Sequence, residues 1–242
     1  MINVIRTPDS LPSLETDTIK KYLLDLAIYQ EDRKNNTEPA KPSNYRNWDV
    51  LEAFDNCFYS KCYLTEEKKF NSWKFDVDHF LPQNERPDLV YTWSNLFPCE
   101  HSTNLIKPRK SPFGGLLDPT NSKEDVETLI YYSADFQFDH ISFTPVDSSN
   151  KKVVNTCALL DRVHNGHDEW SKKTTENLRF DIQTRADIIL KEINLWRKAE
   201  NGSAEKSEHE TALKTYLSRK NSFTMLMRSM PTAQKFCRHL FD

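Results

Sequence analysis

Phe75-Asp76-Val77-Asp78-His79-Phe80-Leu81-Pro82, followed by Trp93-Ser94-Asn95-Leu96 and Thr103-Asn104-Leu105-Ile106-Lys107, is the part of this chain on which its fold turns. Apolar residues alternate from Lys74 to Phe80. Phe75 and Val77, with Phe80 if the backbone bends, face inward, which predicts a strand ending near His79. Asn84-Glu85-Arg86-Pro87-Asp88 is turn chemistry, and residues 95 to 99 form a candidate second strand. His101-Ser102-Thr103 then offers capping side chains to a short helix carrying Asn104 and Lys107, limited by Pro108. The order is strand, loop, strand, helix.

Outward from this stretch the signals are helical. Residues 16 to 33 place Ile19, Tyr22, Leu23 and Leu26 on one face, with Thr16 or Asp17 as cap. Asn35 to Pro42 reads as a proline-containing loop, and Trp48, Leu51, Phe54 and Phe58 predict a short helix over 48–59. After Gly114-Gly115-Leu116-Leu117-Asp118-Pro119, taken as a boundary, residues 126–146 suggest a hairpin. Residues 174–199 form the best helix, with Leu178, Ile182, Ile189, Ile193 and Trp196 in a stripe. Residues 201–210 read as a polar linker, and a last helical stretch spans 223–240, broken at Pro231. The fold class is α+β, a small module set between helical segments. The division is an N-terminal helical arm (1–50), the site module (51–118) and a mainly helical C-terminal region (119–242).

Composition bounds the rest. The chain has 242 residues, 37% hydrophobic and 29% charged, so it is polar yet long enough to bury a core. No apolar run reaches membrane-span length, and the odd set Cys57, Cys62, Cys99, Cys157 and Cys237 lacks a disulfide framework. A cytoplasmic bacterial protein, with no membrane partner, is expected. The net charge of -3 argues against a simple stand-alone nucleic-acid binder. Either basic residues are focused on one face or a partner supplies much of the grip.

Phosphodiester hydrolysis needs an activated water, neutralised phosphate oxygens and help for the departing oxygen. Asp78 and Asn104 offer oxygen ligands suited to a hard divalent cation, and His79 can act as base. Asp78 and His79 are adjacent, so the strand is expected to be irregular there. Asn95 is placed to orient the imidazole if the strands pair, and Lys107 lies one helical turn from Asn104. Lys107, Arg109 and Lys110 can contact a phosphate backbone; a solvated charge run is the plainer account. An Asp-His pair alone is near chance, and its weight comes from the company of Asn95, Asn104 and Lys107. His164, His167, Asp168 and Glu169 could suggest a second metal site, but a turn between helices explains them more simply.

These residues resemble the HNH endonucleases of ββα-metal fold. Asp78-His79-Phe80-Leu81-Pro82-Gln83 with the later Asn104 is similar to the HNH domain of RNA-guided CRISPR nucleases. The resemblance implies His79 as general base, Asn95 as the central residue orienting it, and Asp78 and Asn104 as ligands of Mg²⁺ (or Mn²⁺); Lys107, on the same face as Asn104, is expected to reach a phosphate oxygen and stabilise the developing charge. The opening Met1 to Arg6 and Asn56 to Tyr63 extend the likeness to the PtuB family, HNH subunits of Septu and retron-linked anti-phage systems. It implies nucleic acid as substrate, DNA ahead of RNA, and an ABC or SMC-like ATPase partner, PtuA. In retron-linked systems the complex also includes the reverse transcriptase and its RNA-DNA product. Many relatives carry two Cys-x-x-Cys pairs for structural Zn²⁺. Here they would fall at Cys62 and Thr65, and at Glu100 and Thr103, so four-thiolate zinc is excluded there. A rearranged cluster of Cys57, Cys62, Cys99 and His101 is the alternative to apolar packing by Phe58, Tyr63, Phe70 and Trp73. The rival to an active enzyme is a nucleic-acid-binding or adaptor subunit with a degenerate site.

Overall fold

Local chemistry sets where each helix begins. The Thr16 hydroxyl accepts from the Ile19 backbone N–H and starts α1 (Asp17–Glu31), which buries Ile19, Tyr22 and Leu26. Helix α2 (Trp48–Phe58) buries Leu51, Phe54 and Phe58 and stops at Tyr59, whose backbone is left-handed. Trp48, expected inward, is turned to solvent. The computed structural model describes residues 1–42, 45–135 and 139–242.

Strand β1 (Asp76–His79) pairs antiparallel with β2 (Leu96–Cys99), setting Asp78 opposite Phe97 and His79 opposite Leu96. Helix α3 (His101–Ile106) follows at once and packs on β1. Its cap is the Glu100 carboxylate, which accepts from the Thr103 N–H, rather than a side chain of 101–103. Glu100 is the last extended residue, so its side chain alone can turn back over the first turn. Lys107 leaves the helix in an extended conformation, as the following Pro108 demands.

The C-terminal half adds a second antiparallel pair, β3 (Ile130–Asp135) with β4 (His140–Pro145), so the protein is mixed helix and sheet of α+β type. Residues 136–138 lie outside the described residues. Helix α4 (Lys151–Asn165) lies on β4, and α5 (Glu169–Thr174), α6 (Glu176–Lys198), α7 (Ala204–Leu217), α8 (Thr224–Ser229) and α9 (Pro231–Cys237) complete the chain. The expected linker at 201–210 is a helix over most of its length. Ser203 caps α7, and Leu213 and Leu217 bury its one apolar edge against the core. The Glu and Lys residues that made the stretch look unstructured are good helix formers on an exposed surface. Pro231 opens α9 at a position where its missing N–H costs nothing.

One continuous apolar cluster runs from Met1 to Leu240, and the Arg6 and Lys61 side chains help knit it. The Arg6 guanidinium lies over the Phe58, Trp93 and Phe97 rings and donates to the Trp93 and Leu96 carbonyls, at 2.9 and 2.8 Å. It thereby fixes the start of β2. Lys61 donates to Glu66, to the Arg219 and Asn221 carbonyls and to Thr224, tying the middle of the chain to α8. Burial alone would raise the Glu66 carboxyl, but the Met1 amino group and Lys61 outweigh it and hold it down at about 2. Of the four residues expected to pack in place of zinc, Phe58 and Tyr63 are buried, whereas Phe70 (97% exposed) and Trp73 (50%) face solvent. Both rings follow the Lys61–Lys68 antiparallel bridge.

Gly166 ends α4 with φ +74° and ψ 168°, and a Cβ there would stand 2.3 Å from the Lys172 nitrogen. Only glycine lets α4 and α5 meet this closely. The histidines nearby are structural. His164 is fully buried and bonds the Leu160 carbonyl, His167 meets Ser171, and Asp168 caps α5. Burial pushes the His164 imidazole down to about 4, against a smaller opposing effect of the Leu160 bond. The unfolded chain therefore binds a proton here that the folded chain refuses, so stability falls as pH drops from the ordinary imidazole range toward 4. We expect a loss of roughly 3 kcal/mol across that window. Urea midpoints at pH 7 and 4.5 should differ more for the wild type than for His164→Phe; equal differences would remove His164 as the source. Among the described residues, no helix is long and apolar enough to cross a membrane.

Candidate active site

A cleft of about 530 Å³ opens where β1 ends, and Val77, Asp78, His79, Gln83, Asn104, Lys107 and Arg109 line it. Asp78 and His79 reach the same cleft although they are adjacent, because β1 terminates at His79 and the pleat is not continued.

The His79 ring is held at both nitrogens. Nε2 lies 3.0 Å from the Val90 carbonyl, which can only accept, so Nε2 carries the proton. Nδ1 is then the basic nitrogen, and the Gln83 side-chain amide donates to it at 3.0 Å. Tyr45 meets the ring edge-on with centroids 4.7 Å apart. Burial lowers the imidazole's pKa, outweighing the opposite effects of the Val90 bond and Asp78, so the ring is neutral at neutral pH and its Nδ1 lone pair carries no proton.

Asn95 does not contact the ring as expected. Its Oδ1 accepts from the Leu81 N–H at 2.8 Å, and its Nδ2 donates to the Leu81 and Leu89 carbonyls at 3.1 and 3.3 Å. It closes the loop between β1 and β2, and that loop delivers the Val90 carbonyl. The reason is positional: Asn95 precedes the first β2 residue, in a 3₁₀ turn over Trp93–Asn95, and faces the loop rather than the ladder. Asn95→Ala leaves buried backbone groups unpaired, and we expect it to cost about 3 kcal/mol and to open 81–92 to protease. An unchanged melting point with unchanged proteolysis would contradict this role.

Asp78 and Lys107 form a buried ion pair. Asp78 Oδ2 accepts from Lys107 Nζ at 2.5 Å and from the Tyr63 hydroxyl at 2.8 Å, and Lys107 also donates to the His79 carbonyl at 3.0 Å. Lys107 is therefore part of the cleft floor, not a projecting phosphate contact. Asn104 donates through Nδ2 to Asp76 Oδ2 at 3.0 Å, and His101 shares that oxygen at 2.9 Å. Asp76 can only accept, so the Asn104 amide is oriented with its Oδ1 available to a cation. Arg109 is exposed at the cleft, whereas Lys110 lines a neighbouring cavity instead.

Two of the thiols meet, and the others lie with different neighbours. Cys62 and Cys99 hydrogen-bond to each other in the core, Cys62 also meets Thr65, Cys57 bonds Thr7, and His101 is turned to Asp76. Among the described residues no three His, Cys, Asp or Glu side chains come together as a metal cage. Of the four side chains named for a rearranged cluster, Cys57 on α2 is engaged with Thr7 and His101 on α3 with Asp76.

The sequence reading missed Gln83, Tyr45, Asp76, Tyr63 and the Val90 carbonyl. Gln83 and Asp76 stood within four residues of His79, where a ring or amide partner could have been sought. Tyr63 and Tyr45 come from separate elements and carried no such signal.

No protein-family model matches the chain. A curated relative, the Septu protein PtuB of Bacillus thuringiensis, is 36% identical over 76 residues. The likeness covers 29% of this chain and spans only 27% of that protein's length, a partial, PtuB-like relationship.

Proposed function

We propose that this protein is an HNH-type endonuclease of ββα-metal design that hydrolyses nucleic-acid phosphodiester bonds, DNA ahead of RNA, as the effector of an anti-phage defence complex. The observation that carries it is a neutral imidazole whose Nδ1 holds the lone pair, in one cleft with Asp78 and Asn104. The partial likeness to the Septu protein PtuB supports the defence role. An ATPase partner of the PtuA type belongs to the same proposal, and a retron reverse transcriptase with its RNA-DNA product is a further member in the retron-linked version of it.

The donor set suits a hard cation. Asp78 keeps Oδ1 and Asn104 keeps Oδ1, one carboxylate and one amide oxygen on a shared cleft, and Mg²⁺ commonly takes one or two protein oxygens and completes its shell with water. A bound Mg²⁺ or Mn²⁺ would supply charge neutralisation at the scissile phosphate and the departing oxygen. His79 Nδ1 accepts the proton of the attacking water once the Gln83 amide gives way to it. The Val90 carbonyl holds the Nε2 proton, fixing the ring and stabilising the imidazolium that forms. Lys107 keeps Asp78 in place and adds positive charge beneath the phosphate, and Arg109 meets it from the rim.

The purified chain, alone and with its ATPase partner, should cut plasmid or single-stranded DNA in Mg²⁺ or Mn²⁺ and stop on chelation. Cleavage indifferent to chelator would defeat the metal assignment. One observation favours a second reading, a nucleic-acid-binding or adaptor subunit with a degenerate site: the Lys107 ammonium already neutralises Asp78. Calorimetry showing no Mn²⁺ uptake, with or without nucleic acid, would select it.

A further inference from the structure

Beside the cleft lies a second cavity of about 340 Å³, and Pro82, Lys107 and Pro108 line both. Its walls are carbon-rich. Phe80, the residue after His79, forms one side, and its ring is steadied by Phe97 at 5.3 Å with planes 34° apart. Ala158 and Leu159 of α4 form another. Positive charge stands at the edge. Lys110 is exposed there, and the Arg162 guanidinium is fixed by donation to the Ile106 carbonyl at 2.8 Å. The one carboxylate on the wall, Asp161, is partly engaged by Asn165 at 2.9 Å.

We propose that this cavity receives an unpaired nucleobase from the strand whose phosphate occupies the neighbouring cleft. The inference rests on the nuclease reading above. A nucleotide has the shape these two spaces require, an anion tethered through a sugar to a flat heterocycle. The cleft offers the exposed Arg109 to the phosphate, and the cavity offers an aromatic face and aliphatic walls to the base, with Lys110 and Arg162 left for the next phosphate. A base stacked within a duplex cannot enter, so the protein binds single strands, or flipped and bulged nucleotides, in preference to duplex.

The test measures binding of single-stranded oligonucleotides, as DNA and as RNA, to the full chain. One strand carries 2-aminopurine and its twin is abasic at that nucleotide. The wild type should change the 2-aminopurine fluorescence and bind the base-containing strand about ten-fold more tightly than the abasic one. Ala158→Trp, which fills the cavity from the exposed face of α4, should abolish both differences while leaving abasic-strand affinity unchanged. Phe80→Leu keeps an apolar wall without the aromatic face and should fall between them. Equal wild-type affinity for both strands, no binding to either, or an Ala158→Trp loss shared by both strands would overturn the proposal. Cleavage of the same strands is scored separately. Base-dependent binding without cleavage sinks the nuclease reading and keeps the cavity, whereas cleavage without base dependence does the reverse.

Discussion

His79→Ala should lower metal-dependent phosphodiester cleavage by about a thousand-fold, the scale expected for removing a general base. The loss should come without unfolding and without loss of partner binding, because the ring's neighbours are a side-chain amide, a tyrosine edge and one carbonyl rather than the central core. Single-turnover rates with saturating Mn²⁺ measure it, and circular dichroism checks the fold. Added imidazole should restore part of the rate to the alanine variant by entering the vacated space beside Gln83. Undiminished cleavage by the variant would end the assignment of His79, and with it the reading of the cleft as a hydrolytic site.

Breaking the Asp78–Lys107 pair should have the largest effect on stability of any change in the site. Both side chains are at least nine-tenths buried, so Asp78→Ala strands an ammonium in the interior and should cost about 3–5 kcal/mol. Replacing both partners by apolar residues of similar size, Asp78→Leu with Lys107→Met, should be close to neutral for folding, since no charge is left unpaired. The double variant should nonetheless be inactive and take up no Mn²⁺. Denaturant midpoints of Asp78→Leu alone, Lys107→Met alone and the double form a cycle that isolates the pair. If the double variant is as unstable as Asp78→Ala, the pair is not the origin of the loss. If it still binds Mn²⁺, Asp78 is not a ligand.

The order of elements around the site is written in short-range sequence signals. Alternation from Phe75 to Val77, Pro108 after the short helix and Thr16 before α1 act within a few residues, and the backbone obeys them wherever the chain lies. The convergence of Asp78, His79, Asn104 and Lys107 on one cleft follows from the same short strand, tight turn and short helix. The roles within the site come from packing. Whether Asn95 faces the imidazole or the loop, whether Lys107 projects or pairs, and which carbonyl fixes the ring depend on groups that packing delivers from Tyr63, Tyr45 and Val90. Spacing cannot encode these choices, because each is a competition for hydrogen bonds inside a buried volume. There the winning partner is the one that leaves no polar atom unpaired. The same holds for α7, whose polar sequence gave no apolar stripe strong enough to announce a helix. It became one because Leu213 and Leu217 found a surface to bury against.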